Sequence, residues 1–285
     1  MRAGVGQGGG VRPVRVLTRL LLPVTCPCGE LDVRWCARCA ALLSGPPVRA
    51  EHGAPRLDRL DGVPPVPVWA LTPYTGPVRD VVVHWKDRGR VDLDRLLAPA
   101  LRAAAARLGP VLARALAARV LDGPDTDGPG ARAQDARGAA LAVVPVPSTG
   151  AARRARSREP VTVLARAVVL GLHDAGVPAR VVPALARRGS GRDQVGLGAR
   201  ARGRNLSDAV RMTRPGARAL GGGSARLLVD DVLTTGATLA AVERVLEQHG
   251  HDVLGATVLA ATPPPAWSGG PGRDTAQGFE ANLKV

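Results

Sequence analysis

The chain has 285 residues, of which 45% are hydrophobic and 22% are charged, so it can bury a core. Its 39 Lys and Arg residues exceed its 24 Asp and Glu residues, which gives a formal net charge of +15 at pH 7. This composition excludes an acidic tail protein and a wholly disordered chain. Only 2% of the residues are aromatic, which argues against an RRM-like or OB-like protein that stacks single-stranded bases.

The N-terminal region contains neither a recognisable membrane span nor a signal peptide. No window approaches the ~18 uninterrupted apolar residues of a span, and the apolar part of "LTRLLLPVTC" is too short and wrongly flanked for a secretory signal. The sequence therefore predicts a cytoplasmic protein without membrane insertion.

Four cysteines lie in one short segment, in the pattern C-x-C, a gap of seven residues, and C-x-x-C. Such crowding favours a metal site over the spread-out disulfides of a secreted fold. Four thiolates suit tetrahedral Zn²⁺, and four protein ligands would make that zinc structural. The single residue inside the first pair strains simultaneous chelation, so buried thiols, a redox pair or a partly decayed site remain alternatives. The candidate ligands are Cys26, Cys28, Cys36 and Cys39.

The first half of the chain is predicted to contain little strand. A Gly-rich start leads to a short apolar helix at 14–22, and the proline-punctuated stretch 46–67 predicts a loop before a strand near Trp69. The stretch 91–121 has helical apolar spacing, which Pro99 and Pro110 are expected to break into two or three pieces.

The second half alternates between predicted strands and helices, which indicates an α/β fold with a mainly parallel sheet flanked by helices. Ligands of such sheets bind beyond the carboxyl ends of the strands. The predicted strands are 140–147, 179–185, 226–232 and 252–260, and the predicted helices are 159–176 and 238–250. The predicted organisation is a disordered or short helical lead (1–20), a cysteine element with a Pro-rich linker (21–65), a main domain (66–262) with a flexible insertion (122–138), and a disordered tail (263–285).

One motif, "DDVLTTGATL", carries the strongest chemical signal. A small-residue turn that opens a helix gathers backbone N–H groups and hydroxyls around one point, which predicts a phosphate cradle. Asp230 and Asp231, just before the turn, can accept hydrogen bonds from a sugar diol, so the motif predicts a ribose 5-phosphate site. The alternative is an acidic strand end before a Thr-capped helix. The cradle residues are Thr234, Thr235, Gly236, Ala237 and Thr238.

This motif resembles the phosphoribosyl pyrophosphate (PRPP) site of type I phosphoribosyltransferases, and other segments resemble the ComF/GntX (competence protein ComFC) family. They are "VVPVP" with the Arg-rich loop after it, "VVVHWKDRG" with Lys86 and Gly89, and a Gly- and Arg-rich element containing Asp193 and Gln194. The resemblance covers residues 20–260. It departs at residues 156–160, where Arg-Ser-Arg-Glu-Pro replaces the family's Arg-Gly-Phe-Asn-Gln.

The resemblance implies a type I phosphoribosyltransferase-like fold with a zinc-ribbon-like start, and a PRPP site that uses Mg²⁺. The 5-phosphate would lie on residues 234–238, and the ribose diol on the catalytic residues Asp230 and Asp231. The pyrophosphate would lie beside the loop after Pro147, near Arg153, Arg154, Arg156 and Arg158. A second loop, which begins at Arg187 and runs to Arg204, either closes over the site or is a disordered basic segment. The residues assigned to this flexible loop are Arg188, Gln194, Arg202 and Asn205.

Three functions are compatible with these features. The protein is a phosphoribosyltransferase with an unidentified acceptor, a PRPP or nucleotide sensor without turnover, or a DNA-processing protein that binds single-stranded DNA. The last is favoured by 15 arginines against four acidic residues between positions 151 and 218. The alternative explanation of that charge is a biased composition that leaves arginines on a solvated surface.

Overall fold

The computed structural model describes residues 24–122, 140–148, 159–187, 210–221 and 225–264. The helices are α1 (Ala37–Ala41), α2 (Gly76–Lys86), α3 (Asp94–Asp122), α4 (Pro160–Asp174), α5 (Arg214–Leu220) and α6 (Ala237–Glu247). The strands are β1 (Val48–Arg49), β2 (Val68–Pro73), β3 (Leu141–Pro145), β4 (Ala179–Val181), β5 (Leu185–Arg187), β6 (Val210–Met212), β7 (Arg226–Leu233) and β8 (Val253–Ala261). Short 3₁₀ turns lie at Glu51–Gly53 and Val91–Leu93.

The main sheet has six strands in the order β1-β2-β8-β7-β3-β4. Strand β1 is antiparallel to β2, whereas the other neighbouring strands are parallel. The predicted α/β class with a mainly parallel sheet is therefore confirmed. Strands β5 and β6 form a separate antiparallel ribbon.

Two apolar cores cover the two faces of this sheet. On β7, Leu227 and Val229 belong to the core that contains α3 and α4, whereas Leu228 belongs to the core that contains α6. This alternation is the two-residue period of a strand buried on both faces. Helices on opposite faces follow because β3 leads through α4 to β4 on one side, whereas β7 leads through α6 to β8 on the other.

The chain reverses its winding direction between β3 and β7, and the two strands end at different heights there. Strand β7 pairs with β3 only as far as Val229, but it pairs with β8 as far as Leu233. Asp230 and the residues after it therefore lack a partner on the β3 side. A gap at the carboxyl ends of strands, where the winding reverses, is the usual ligand position in such sheets.

Helix α3 corrects the sequence prediction, because it runs unbroken through Pro99 and Pro110. Each internal proline costs roughly 3 kcal/mol. The burial of four leucines, at about 2 kcal/mol each, outweighs that cost. They are Leu97, Leu101, Leu108 and Leu112.

Glycines let α3 pack very closely on α4. A Cβ atom built on Gly171 would lie 2.1 Å from the carbonyl oxygen of Arg102, and one built on Gly109 would lie 2.3 Å from the Cβ of Ala175. The stretch Val91–Arg119 has the length and apolarity to cross a membrane by composition alone. Its apolar side is occupied here by the protein's own core.

Other elements differ from the prediction more locally. The single strand expected at 179–185 is two strands, β4 and β5, which belong to different sheets. Pro183 lies between them and has no N–H for a sheet ladder. Helices α2 and α5 were not predicted, and the loop expected at 46–67 contains the short strand β1 and one 3₁₀ turn. The predicted helix at 14–22 lies outside the described residues. The predicted insertion at 122–138 also lies outside them, except for Asp122, which is the last residue of α3.

Candidate functional site

A cleft of about 340 Å³ opens at the carboxyl ends of β3 and β7. This volume lies at the lower end of the range of small-molecule sites. The residues after β7 form one side of the cleft, those after β3 form another, and α2 closes the third. It is lined by Tyr74, Val82, Val83, Lys86, Asp87, Val146, Pro147, Ser148, Arg187, Asp230, Asp231, Val232, Thr234 and Thr238.

The predicted acidic pair lies on the floor of the cleft. Asp231 is 2% exposed, and its Oδ1 accepts a hydrogen bond from the backbone N–H of Val232 at 2.8 Å. Its Oδ2 lies 2.5 Å from Nζ of Lys86. Asp230 is half-buried, and its Oδ1 accepts a hydrogen bond from the backbone N–H of Asp231 at 2.8 Å. The two carboxylates are thus fixed in place by their own backbone and by one lysine.

The charges in this cluster shift one another. Burial, and after it the negative charge of Asp231, raise the pKa of Asp230 to about 8, although Lys86 opposes the rise. Burial disfavours the charged form of Lys86, but attraction to Asp231 and Asp230 outweighs it and holds the pKa of Lys86 above its usual value. At pH 7 this cluster therefore carries less negative charge than two isolated aspartates would.

The threonine loop, residues 234–238, connects β7 to α6. Thr234 and Thr235 are exposed, and the Oγ1 of Thr235 accepts a weak hydrogen bond from the N–H of Ala237 at 3.4 Å. Gly236 precedes the first helical residue and has φ of +80°, a left-handed conformation that favours glycine. The N-terminus of α6 therefore opens beside the exposed hydroxyls, and its first N–H groups can serve an anion.

A segment from the predicted Pro-rich linker supports the threonine loop from behind. The N–H of Arg56 donates a hydrogen bond to the carbonyl oxygen of Thr235 at 2.9 Å. A Cβ atom on Gly236 would lie 2.6 Å from Cγ of Leu57, so the loop and this segment are in close contact. Nη1 of Arg59 lies 2.6 Å from Oε1 of Glu247 on α6. The linker thus holds both the loop and the helix that follows it.

The second side of the cleft comes from the residues after β3. The Nε of Arg187 donates a hydrogen bond to the carbonyl oxygen of Pro147 at 2.9 Å, which joins the ribbon strand β5 to the end of β3. A smaller cavity, of about 60 Å³, lies next to this contact and is bounded in part by Val161, Thr162 and Leu185. A guanidinium group at this position can contribute positive charge to the cleft.

The structure brings several of the predicted site residues to one cleft. Asp230, Asp231, Thr234, Thr238 and Pro147 all line it, and the rest of the threonine loop is continuous with them. The other predicted residues lie outside the described part of the chain: Arg153, Arg154, Arg156, Arg158, Arg188, Gln194, Arg202 and Asn205.

Sequence reasoning did not place Lys86 or Tyr74 in the site, although both line the cleft, and it named Arg187 only as the first residue of the loop that could close over the site. Lys86 is one of only two lysines in the chain and belongs to a segment on which the family resemblance rests. The rarity of lysine in this chain was the feature of the sequence that could have pointed to Lys86. Nothing in the sequence indicates that α2 ends opposite β7, because that depends on how the helix packs.

The four cysteines converge on a second site, with their sulfur atoms within 4.8 Å of one another. The Sγ–Sγ distances are 3.3 Å for Cys26–Cys28, 3.6 Å for Cys28–Cys36 and 3.7 Å for Cys26–Cys39. A tetrahedral zinc site with Zn–S bonds of ~2.3 Å has edges of about 3.8 Å. The cluster is therefore compatible with a structural Zn²⁺ held by all four cysteines, and the single residue in the first pair does not keep the sulfurs apart.

Backbone hydrogen bonds shape this cysteine cluster. The N–H of Cys36 donates to Sγ of Cys26, and the N–H of Cys39 donates to Sγ of Cys36, both at 3.4 Å. Backbone and thiol hydrogen bonds lower the pKa of Cys28 to about 7, whereas burial raises the pKa of Cys39. Because zinc binds thiolates, the metal must displace protons from the buried thiols as it binds.

Comparisons with protein-family models and with curated proteins found no match for this chain. The fold and the two sites nevertheless define a class. The chain is an α/β protein whose parallel sheet carries, at one cleft, an acidic pair and the open N-terminus of a helix, with a four-cysteine cluster near the start of the chain.

Proposed function

We propose that the protein is a type I phosphoribosyltransferase-like member of the ComF family, which binds PRPP with Mg²⁺ in the cleft and transfers the phosphoribosyl group to an acceptor. One observation carries the proposal. Asp230 and Asp231 adjoin the threonine loop at a single cleft, at the point where the winding of the sheet reverses. A ribose 5-phosphate site requires hydrogen-bond donors for the phosphate next to hydrogen-bond acceptors for the ribose diol.

The proposed binding mode uses groups of known position. The 5-phosphate accepts hydrogen bonds from the hydroxyls of the threonine loop and from the first N–H groups of α6, where the helix dipole favours an anion. Gly236 lets the loop adopt this left-handed turn directly against Leu57, which lies behind it. The ribose hydroxyls donate hydrogen bonds to carboxyl oxygens of Asp230 and Asp231, which are fixed by the backbone bonds described above.

In the proposed reaction the pyrophosphate leaves C1 of the ribose with the bonding electrons, and a lone pair of the acceptor forms the new bond at C1. Because charge develops on the leaving group, fixed cations are more important than a strong base. Arg187 lies on the side of the cleft next to Pro147, where the pyrophosphate is proposed to bind. Arg153 and Arg154 belong to the predicted loop after Pro147. Mg²⁺, which would be held with the substrate beside Asp230 and Asp231, would supply positive charge that neutralises part of the negative charge of the leaving group.

Calorimetric titration of the full chain with PRPP, with and without Mg²⁺, tests this proposal. Wild type is expected to bind PRPP more tightly when Mg²⁺ is present, and Asp231→Asn is expected to weaken that binding by about tenfold or more. Asp252→Asn is the matched control, because Asp252 is 80% exposed and precedes β8 at the opposite end of the sheet. An absence of binding heat and of thermal stabilisation at millimolar PRPP would show the proposal to be wrong.

Turnover separates an enzyme from a sensor that binds PRPP without reaction. A transferase releases pyrophosphate from PRPP when an acceptor is supplied, and Asp231→Asn should abolish the release. PRPP binding with no release from any acceptor would favour the sensor. The measurement is a coupled pyrophosphate assay over a panel of nitrogen bases, amines and nucleic acid ends.

A second candidate function, binding of single-stranded DNA, is favoured by one surface. Residues 179–187 and 210–221, which form β4, the β5–β6 ribbon and α5, contain five arginines and no acidic residue. Four of the five are exposed, and no described residue forms an ion pair with them. They are Arg180, Arg211, Arg214 and Arg218.

Fluorescence anisotropy with labelled single-stranded DNA over a range of salt concentrations tests the second function. Each phosphate contact adds about 0.7 to the slope of log affinity against log salt for a single strand. The double substitution Arg214→Gln and Arg218→Gln should therefore lower the slope by about 1.4. No binding at low salt would exclude this function and would leave the PRPP proposal unaffected.

A further inference from the structure

The end of helix α2 places a lysine against the acidic pair. Nζ of Lys86 lies 2.5 Å from Oδ2 of Asp231. The Asp231 side chain is 4% exposed and the Lys86 side chain is 34% exposed, so the contact is sheltered on the floor of the cleft. An ion pair of this kind is screened much less than a surface pair.

The fold fixes the position of this lysine. The neighbouring Trp85 is fully buried, and its Nε1 donates a hydrogen bond to Oδ1 of Asp94 at 2.6 Å, which ties the end of α2 to the start of α3. After the helix the chain turns through Gly89, whose φ is +70°. Arg90 then donates hydrogen bonds to the carbonyl oxygens of Thr25 and Arg34. The chain is therefore held in place on both sides of Lys86, by Trp85 before it and by Arg90 after it.

The two aspartates, Asp230 and Asp231, have few carboxyl oxygens left to bind another cation. Lys86 engages Oδ2 of Asp231, and backbone N–H groups engage Oδ1 of Asp231 and Oδ1 of Asp230. Three of the four carboxylate oxygens thus already have partners. Magnesium requires several oxygen ligands in near-octahedral geometry and loses its waters reluctantly. The free acidic pair does not offer such a set.

We propose that Lys86 is the resident cation of the acidic pair, so that the free protein does not bind a divalent metal there. Lys86 is thus a positioning residue, which acts through Asp231. The inference is independent of the proposed function, because the behaviour of the free protein follows from the ion pair itself.

Metal titration of the free protein tests the inference. The probe is Mn²⁺ followed by electron paramagnetic resonance, added without PRPP to the full chain after saturation with Zn²⁺. Lys86→Met should bind Mn²⁺ at least about tenfold more tightly than wild type, since the substitution leaves the buried carboxylate of Asp231 without its cation. Adding Asp231→Asn to this variant should remove the gain.

Arg88→Met is the matched control. It removes the same charge from an exposed residue nearby, and it should leave Mn²⁺ affinity at the wild-type level. An equal gain in Arg88→Met, or wild-type binding as tight as that of Lys86→Met, would overturn the inference. If Lys86→Met does not fold, Lys86→Gln serves in its place. Tight Mn²⁺ binding by the wild-type protein that is lost in Asp231→Asn would also overturn the inference. If no variant binds PRPP, the proposed function fails, whereas these Mn²⁺ comparisons still decide the role of Lys86.

Discussion

Gly236 offers a direct test of how the threonine loop is built. It has φ of +80°, and an added Cβ atom would lie 2.6 Å from Cγ of Leu57 and 3.1 Å from Cβ of Ala54. A left-handed conformation costs a non-glycine residue about 1–2 kcal/mol. Leu57 is 1% exposed and has no free space to enter, so overpacking adds about 1–3 kcal/mol. Gly236→Ala should therefore lower the free energy of unfolding by about 2–5 kcal/mol.

Two further substitutions separate the backbone cost from the steric cost. Gly250, just beyond the other end of α6, has φ of +72° but no atom within 4 Å of an added Cβ. Gly250→Ala should therefore cost only the backbone share, about 1–2 kcal/mol. In a double-mutant cycle, Leu57→Ala should remove the steric share from Gly236→Ala, with a coupling energy of about 1–3 kcal/mol.

Urea unfolding followed by circular dichroism gives the free energies, and calorimetry with PRPP gives the functional consequence. Gly236→Ala should also weaken PRPP binding, because the altered loop no longer presents its N–H groups in the same geometry. Equal costs at Gly236 and Gly250, together with no coupling to Leu57, would refute the described packing behind the loop. Intact PRPP affinity in Gly236→Ala would instead count against the proposed position of the phosphate.

Two more predictions concern ionisation and metal. The pKa of Asp230 is raised from 3.8 to about 8, so the stability that this group contributes is present below pH 3.8 and is lost as the pH rises through 8. Asp230→Asn should therefore gain stability relative to wild type between pH 5 and pH 9 in urea unfolding, and a constant difference would contradict the shift. Purified protein should hold one Zn²⁺ per chain by metal analysis, and Cys39→Ser should lose it and unfold at a lower temperature. Equal metal content in both proteins would show that the cysteines are not its ligands.

The sequence was sufficient for the fold class because the second half of the chain has a clear periodicity. Strand β7 and helix α6 lie close to their predicted positions, since a continuous apolar run and a 3.6-residue apolar period are unambiguous there. Helix α3 was predicted in pieces, because local proline preference is visible in a sequence whereas the packing of Leu101 and Leu108 is not. Burial of these leucines in the core therefore explains why α3 continues through its two prolines.

The candidate site was predictable where its residues are contiguous. Asp230, Asp231 and the threonine loop form one uninterrupted motif, so their proximity follows from local geometry. Lys86 lies more than 140 residues earlier in the chain, and only the packing of α2 beside β7 brings its ammonium to Asp231. Likewise, nothing in the composition of the Pro-rich linker indicates that Leu57 supports Gly236. Contacts between distant segments depend on topology, which a single sequence does not specify.

The cysteine cluster has a consequence for how this protein can be dissected. Cys26, Cys36 and Cys39 belong to the same buried core as Trp85, which directly precedes Lys86. A truncated chain that begins near residue 66 would expose this face of Trp85 to water and would remove the carbonyl oxygens that Arg90 contacts. Loss or oxidation of the cysteine element is therefore expected to shift the end of α2 and the Lys86 contact with the acidic pair, even though the two sites share no residue. Preparations kept under reducing conditions with zinc are the ones in which the cleft can be assayed.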